Sequence, residues 1–189
     1  MSGQIVVTRA EYLDSIRRLT EAAADLGARL SMTQLTWQPE AGERWSISEC
    51  LDHLAVSVEV YLDAMEGPAR DARPGPAATV FQTAGLPSEK FTRDMEPPVR
   101  RKFPAPAKIR PRPTLNPEST LPRFLTAMDR VSALVASTAN KDLNSVRFPN
   151  PIFPLVRFTV ATGFLIIAAH GRRHLWQAEQ IPQEPDFPG

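Results

Sequence analysis

The sequence predicts an all-α protein built as a four-helix bundle, and three observations carry that expectation. The 19 prolines are unevenly spread and leave four long stretches nearly free of them, where helices can run without losing an amide donor or clashing with the preceding turn. In each stretch apolar residues recur at steps of three and four, the period of one helical face. No run of alternating apolar and polar residues competes, so no sheet is expected. Four long amphipathic segments in 189 residues match a bundle, and a chain of this length buries a substantial core without staples.

The first helix opens at Thr8-Arg-Ala-Glu11, the Ser/Thr-x-x-Glu spacing of a capping box. It carries Tyr12, Ile16, Leu19, Ala23, Leu26 and Leu30 on one face. Gly27 weakens it by about 1 kcal/mol relative to alanine. A second capping box, Ser46-Ile-Ser-Glu49, starts the next helix, with Cys50, His53, Leu54, Val58 (or Ser57), Tyr61 and Met65 before Gly67-Pro68 is expected to end it. The third is expected from Ser119 or Thr120, with Pro122 tolerated in its first turn and Phe124, Leu125, Met128, Val131, Leu134 and Val135 as its apolar face. The fourth spans about 159–181, where Pro182 stops it.

The connections differ sharply in length. The first, Thr36 to Trp45, is short and holds two of the three tryptophans, Trp37 and Trp45, whose expected role is to seal the bundle end. The second covers about 67–118. A connection of that length in a compact domain is usually functional or disordered, and it lets helices two and three run parallel. The whole chain, 1–189, reads as a single domain.

Composition narrows the function classes. A net charge of +1 with 42% hydrophobic and 23% charged residues is ordinary for a soluble globular chain and gives no global reason for nucleic-acid or anionic-membrane binding. The longest apolar stretch, Phe158 to Ala169, falls short of the roughly 18 residues that span a bilayer. The N-terminus has only a short apolar patch before charges arrive, which does not read as a signal peptide. The lone Cys50 excludes an internal disulfide and fits a reducing compartment. A cytoplasmic location is expected.

All three histidines fall in predicted helices. His170-Gly-Arg-Arg-His174 has the i, i+4 spacing that stacks two imidazoles on one face, and His53 lies mid-helix among apolar neighbours. Together they predict a site for one divalent transition metal, zinc or nickel, since neutral imidazole suits both. Taken singly, a histidine facing a core is more often a hydrogen-bonded core residue than a ligand. Three nitrogen ligands leave a coordination position open, the mark of a catalytic rather than a structural ion. The spacing is not His-Glu-x-x-His, so the metalloprotease general base is missing.

These same residues carry a resemblance. Trp37-x-Pro39 followed by Gly42-Glu-Arg-Trp45-Ser-Ile-Ser-Glu-Cys-Leu-Asp-His53-Leu resembles the first signature of the DinB-like superfamily. Ala168-Ala-His170-Gly-Arg-Arg-His174-Leu-Trp-Gln177 resembles its second. The resemblance is specific at both ends and weak in the long connection. It implies an up-down-down-up bundle in which His53, His170 and His174 bind the metal. Characterised relatives include S-transferases that use low-molecular-weight thiols such as bacillithiol or mycothiol, and a mycothiol-dependent isomerase. The resemblance therefore implies a metal-dependent enzyme, a thiol-dependent S-transferase or a hydrolase, with a low-molecular-weight thiol as a candidate co-substrate. Relatives are often dimers, so a homodimer is among the expectations. The alternative is a non-catalytic helical bundle that binds a metal or a small molecule.

On the residues alone, a three-histidine ion can either activate water or hold a thiol as thiolate, and the ligands do not choose between them. The expected nucleophile is one of those two rather than a side chain. Around the histidines, Cys50 lies one turn before His53 as a candidate ligand or nucleophile, although buried free cysteine usually behaves as a small hydrophobe. Gln177, three residues after His174, can hydrogen-bond an imidazole or face solvent. Glu49 shares the His53 face but is expected to complete its cap, and Asp52 points about 100° away around the helix. The segment Val99–Pro113 gathers six basic residues among prolines. With Phe103 as its one aromatic it has no stacking platform for nucleic acid, and a solvated extended linker is its plainest reading. The preferred expectation is that it folds over the metal-bearing end, with at least one of Arg100, Arg101, Lys102, Arg110 and Arg112 directed at an anionic small-molecule substrate.

Overall fold

The computed structural model describes residues 4–75, 79–99 and 104–189. It is mostly helical. The described elements are β1 (Val6–Thr8), α1 (Arg9–Arg29), α2 (Met32–Thr36), α3 (Ile47–Asp71), β2 (Val80–Gln82), α4 (Leu86–Met95), α5 (Pro117–Ser137), β3 (Arg147–Pro149), β4 (Arg157–Thr159) and α6 (Val160–Gln180), with 3-10 turns at Glu40–Gly42, Ala107–Ile109 and Ile181–Gln183.

The long helices start where their caps dictate. Thr8 and Ser46 each accept the N3 amide while Glu11 and Glu49 reach back to the cap amide, so both capping boxes form. Thr159 caps α6 through the Thr162 amide. Helix α5 begins at Pro117 behind Asn116, earlier than Ser119 or Thr120, because Asn116 caps the Glu118 amide and Pro117 sits where no amide donor is required. Helix α3 likewise runs past Gly67-Pro68 to Asp71. The missing proline amide breaks one backbone bond, and complete burial of Met65 and Ala69 holds the final turn in place.

The expectation of no sheet is corrected by two antiparallel two-stranded ribbons, β1 with β2 and β3 with β4. Each strand has three residues, too few for alternation to register in the sequence. Phe81, Phe148 and Phe158 are the residues these ribbons send into the core. The connection over 67–118 is also more structured than a loop. It contains β2, the helix α4 and the 3-10 turn at Ala107–Ile109.

Helix α1 packs on α5 and α6, α3 packs on the same two, and α4 lies on α6. The predicted faces are the buried ones: Tyr12, Ile16, Leu19, Ala23 and Leu26 from α1, and Phe124, Met128, Val131, Leu134 and Val135 from α5. Leu30 and Leu125 are half-buried at the edge. A Cβ at Gly27 would stand 2.6 Å from Leu121 Cδ2, so a larger residue there would require the half-buried Leu121 side chain to shift. Among the described residues, no helix is long and apolar enough to cross a membrane.

Candidate metal centre

Helix α3 and helix α6 bring the three histidines together. Their ring centroids lie 4.4–4.9 Å apart, and one ligand atom from each falls within 4.8 Å of the others. His53 Nε2 stands 3.2 Å from His170 Nε2. Two nitrogens bound to one tetrahedral ion at 2.0–2.1 Å would be about 3.3 Å apart, so this pair already has ligand spacing.

The tautomers are set by what lies behind the rings. His53 Nδ1 faces the Ile109 carbonyl at 2.5 Å. A carbonyl only accepts, so Nδ1 carries the proton and the Nε2 lone pair points into the cluster. His174 Nδ1 faces Gln177 Oε1 at 3.1 Å, to the same effect. This is the arrangement by which a carbonyl or amide behind a ligating imidazole fixes its orientation. Desolvation holds His53 below its ordinary value; desolvation first and neighbouring positive charge second hold His170 and His174 well below theirs. All three imidazoles are therefore neutral at pH 7, the form that binds a metal. Nitrogen donor type, spacing, tautomer and protonation state all fit a divalent transition ion.

A cavity of about 1120 Å³ opens beside the histidines, slightly above the usual range for small-molecule sites. Its wall includes Val58, Tyr61, Phe91, Ile166 and Ile167, apart from the polar end at the imidazoles. Trp45 also lines it, its ring 4.8 Å from that of His53 and 5.9 Å from that of His174. Trp37 lies elsewhere, edge-on to Phe187. Cys50 is fully buried and does not line the cavity; burial pushes its thiol up to about 12. Glu49 is taken up by the cap of α3 and by Gln38.

The proline-rich segment reaches the site. Pro104, Ala105, Pro106, Ile109, Arg110 and Pro111 line the cavity. Arg110 borders it while its Nε donates to the Ala105 carbonyl. Arg112 does not face the cavity. Its guanidinium and backbone amide bind the fully buried Asp52 carboxylate at 2.6–2.9 Å, and Arg123 adds a contact to Asp52 at 3.1 Å. Arg100, Arg101 and Lys102 lie outside the described residues.

Arg173 is a site residue that the sequence reading passed over. It is 7% exposed, lines the cavity and donates to the Asp94 carbonyl at 3.1 Å. Its charge reaches His170 and His174. The signal was present, because residue 173 follows His170 by three and so shares its face.

A helical scaffold whose core carries three convergent neutral imidazoles at the end of an apolar cavity defines a metal-binding helical protein. Residues 12–178 match the model of the DinB superfamily, and the chain belongs to that family. Comparisons with curated proteins and with solved structures gave no match.

Proposed function

We propose that the chain is a metal-dependent S-transferase that joins a low-molecular-weight thiol to a small electrophile, using one zinc or nickel ion held by His53, His170 and His174. We take its long helices as a four-helix bundle of up-down-down-up topology. The order of contacts supports this: Asp52 and Glu59 meet Arg123 while Glu66 meets Arg130, so α3 and α5 run in one direction. His53 lies at His170 whereas Met65 lies at Gly163, so α6 runs against α3. Ser15 meets Arg172 while Tyr12 meets Phe164, so α1 runs with α6. In this topology His53, His170 and His174 would hold the ion between two antiparallel helices, at the end where Trp45 and the proline-rich segment line the cavity.

The observation that carries the reaction class is the donor chemistry around the histidines. Among the described residues their ring partners are a backbone carbonyl, an amide and one another, and no carboxylate hydrogen-bonds them. Metalloproteases of the His-Glu-x-x-His type use such a carboxylate to take the proton from water. A thiol starts from about 8.5, far closer to neutral than water, so a bound ion would bring it to thiolate without one. When bound, the ion supplies Lewis acidity and stabilises an anionic nucleophile at neutral pH. His53 and His174 keep their Nε2 lone pairs aimed at one point, and Trp45 limits water there. The apolar wall at Val58, Ile166 and Ile167 holds the body of the electrophile. Arg173 supplies fixed positive charge beside the imidazoles, and Arg110 borders the cavity where an anionic group of the thiol would lie. A hydrolase is the second activity to test, and the free Cys50 accords with a reducing, cytoplasmic setting.

The test is elemental analysis of the purified protein followed by a panel of low-molecular-weight thiols against monochlorobimane. In that reaction an S–C bond forms, a C–Cl bond breaks, chloride leaves and the thiol proton passes to solvent. Thioether formation that needs a stoichiometric ion and stops with chelator is the expected result. Ester hydrolysis without thioether formation would make it a hydrolase, and a tightly held ion with neither activity would make it a binding protein.

A further inference from the structure

Asp52 and His53 are neighbours on α3, yet both hold the same distant segment of chain. His53 Nδ1–H donates to the Ile109 carbonyl. Asp52, 0% exposed, takes the Arg112 backbone amide on Oδ2 and the Arg112 guanidinium on Oδ1. Ile109 ends the 3-10 turn and Arg112 follows it by three residues, so two adjacent residues of α3 grip two separate points of the proline-rich strap.

We propose that Arg112 and Asp52 are positioning residues of the metal centre: their clasp holds the strap 104–113 so that the Ile109 carbonyl fixes the tautomer and ring orientation of His53. The proposal rests on the metal reading above and deepens it.

The physical case has three parts. A buried carboxylate must be neutralised and hydrogen-bonded to remain charged, and the Arg112 fork and amide, with Arg123, provide that. This makes the docked strap the state in which Asp52 is satisfied. A neutral imidazole has two tautomers, and only the Nδ1–H form leaves Nε2 free for a metal. The partner that selects that form is a main-chain oxygen, which no side-chain substitution at Ile109 removes. Its position depends on where the strap lies. Proline at 104, 106, 111 and 113 restricts the strap's alternatives, so fixing it near Arg112 also fixes Ile109. The strap is thereby coupled to the metal in both directions. Whatever loosens it weakens the ion, and the ion tightens it.

The test uses the full-length chain with Zn²⁺ as probe, comparing the parent with Arg112→Ala, Arg112→Lys and Glu59→Gln. Glu59 engages Arg123 in the same network without touching the strap. Arg112→Ala is expected to weaken Zn²⁺ about 10- to 100-fold in chelator competition, the usual cost of removing an outer partner of a ligating histidine. Helical circular dichroism should be unchanged. Arg112→Lys should recover part of the loss, since it restores the charge but not the fork. Glu59→Gln should bind as the parent does. In the metal-free protein, long-range ¹H–¹⁵N spectra should show His53 as the Nδ1–H tautomer in the parent and as a mixture in Arg112→Ala, a change that simple destabilisation would not cause. Equal Zn²⁺ affinity of the parent and Arg112→Ala, or an unchanged His53 tautomer, overturns the clasp and leaves the metal reading intact. A parent that takes up no Zn²⁺ overturns both, and is recognised by that alone.

Discussion

His174 is held by Gln177 one turn further along its own helix, whereas His53 is held by a carbonyl from 56 residues away. The difference decides what could be read from residues. A histidine pair at i, i+4 with a glutamine at i+3 of the second member is a local pattern, and its geometry follows from helix pitch. A main-chain oxygen has no residue identity, so the support for His53 was not legible, and neither was the use of Asp52, whose helical position faces away from the histidine. Arg112 was expected at the cavity for its charge; the buried carboxylate beside His53 is the stronger attractor, because an unpaired ion there would be costly. His174→Ala removes one of the three proposed ligands and leaves the apolar faces intact. It is expected to lose the stoichiometric ion, measured by elemental analysis, while keeping its helical circular dichroism. A full equivalent of metal in this variant would show that the ligand set is wrong, and an unfolded variant would show that the ion is structural.

At the scale of elements, α1 and α3 were legible because capping boxes code their starts, and α6 because a proline-free apolar run is stopped by Pro182. Their faces are coded by apolar spacing that survives in the sequence. Helix α4 was missed although Pro87 stands in its first turn. Its ten residues lie in a proline-bearing connection and carry only Phe91 as a large aromatic on the buried side, so periodicity gave little signal. The ribbons escaped for the same reason of length. What the pattern also hid is how close the helices come. A Cβ on Gly163 would stand 2.5 Å from Met65 Sδ and 3.0 Å from two ring carbons of Phe148, and both of those side chains are fully buried. Gly163→Ala is therefore expected to destabilise the protein. Overpacking costs about 1–3 kcal/mol, against a gain of about 1 kcal/mol from better helix propensity. A melting temperature at or above the parent's would show that α3 and α6 have room to separate.

For the whole molecule, the site sets a dependence of stability on pH. Three imidazoles sit inside the fold with values held below 6.5, two of them well below, chiefly by desolvation. In the unfolded chain each regains an ordinary value near 6.5. Between those two values the unfolded chain binds protons that the folded chain does not, and stability then rises with pH. The contribution is fully present above about pH 6.5 and is lost as pH falls from there toward the folded values. The slope is about 1.4 kcal/mol per pH unit for each proton that only the unfolded chain binds. Carboxylates such as Glu11 and Asp14, whose values are lowered by hydrogen bonds at the surface, act only at lower pH and do not mask it. A bound ion competes with the same protons, so the loaded protein should be more stable at pH 7 and converge on the metal-free one as acid strips the ion. Urea melts of the metal-free protein between pH 7.5 and about 5 should thus show falling midpoints from about pH 6.5 downward. The triple variant with His53, His170 and His174 replaced by glutamine should show a flat profile over the same interval. A parent profile as flat as that variant's would mean that protonation at the three imidazoles is not linked to folding, and that they are exposed to water in solution.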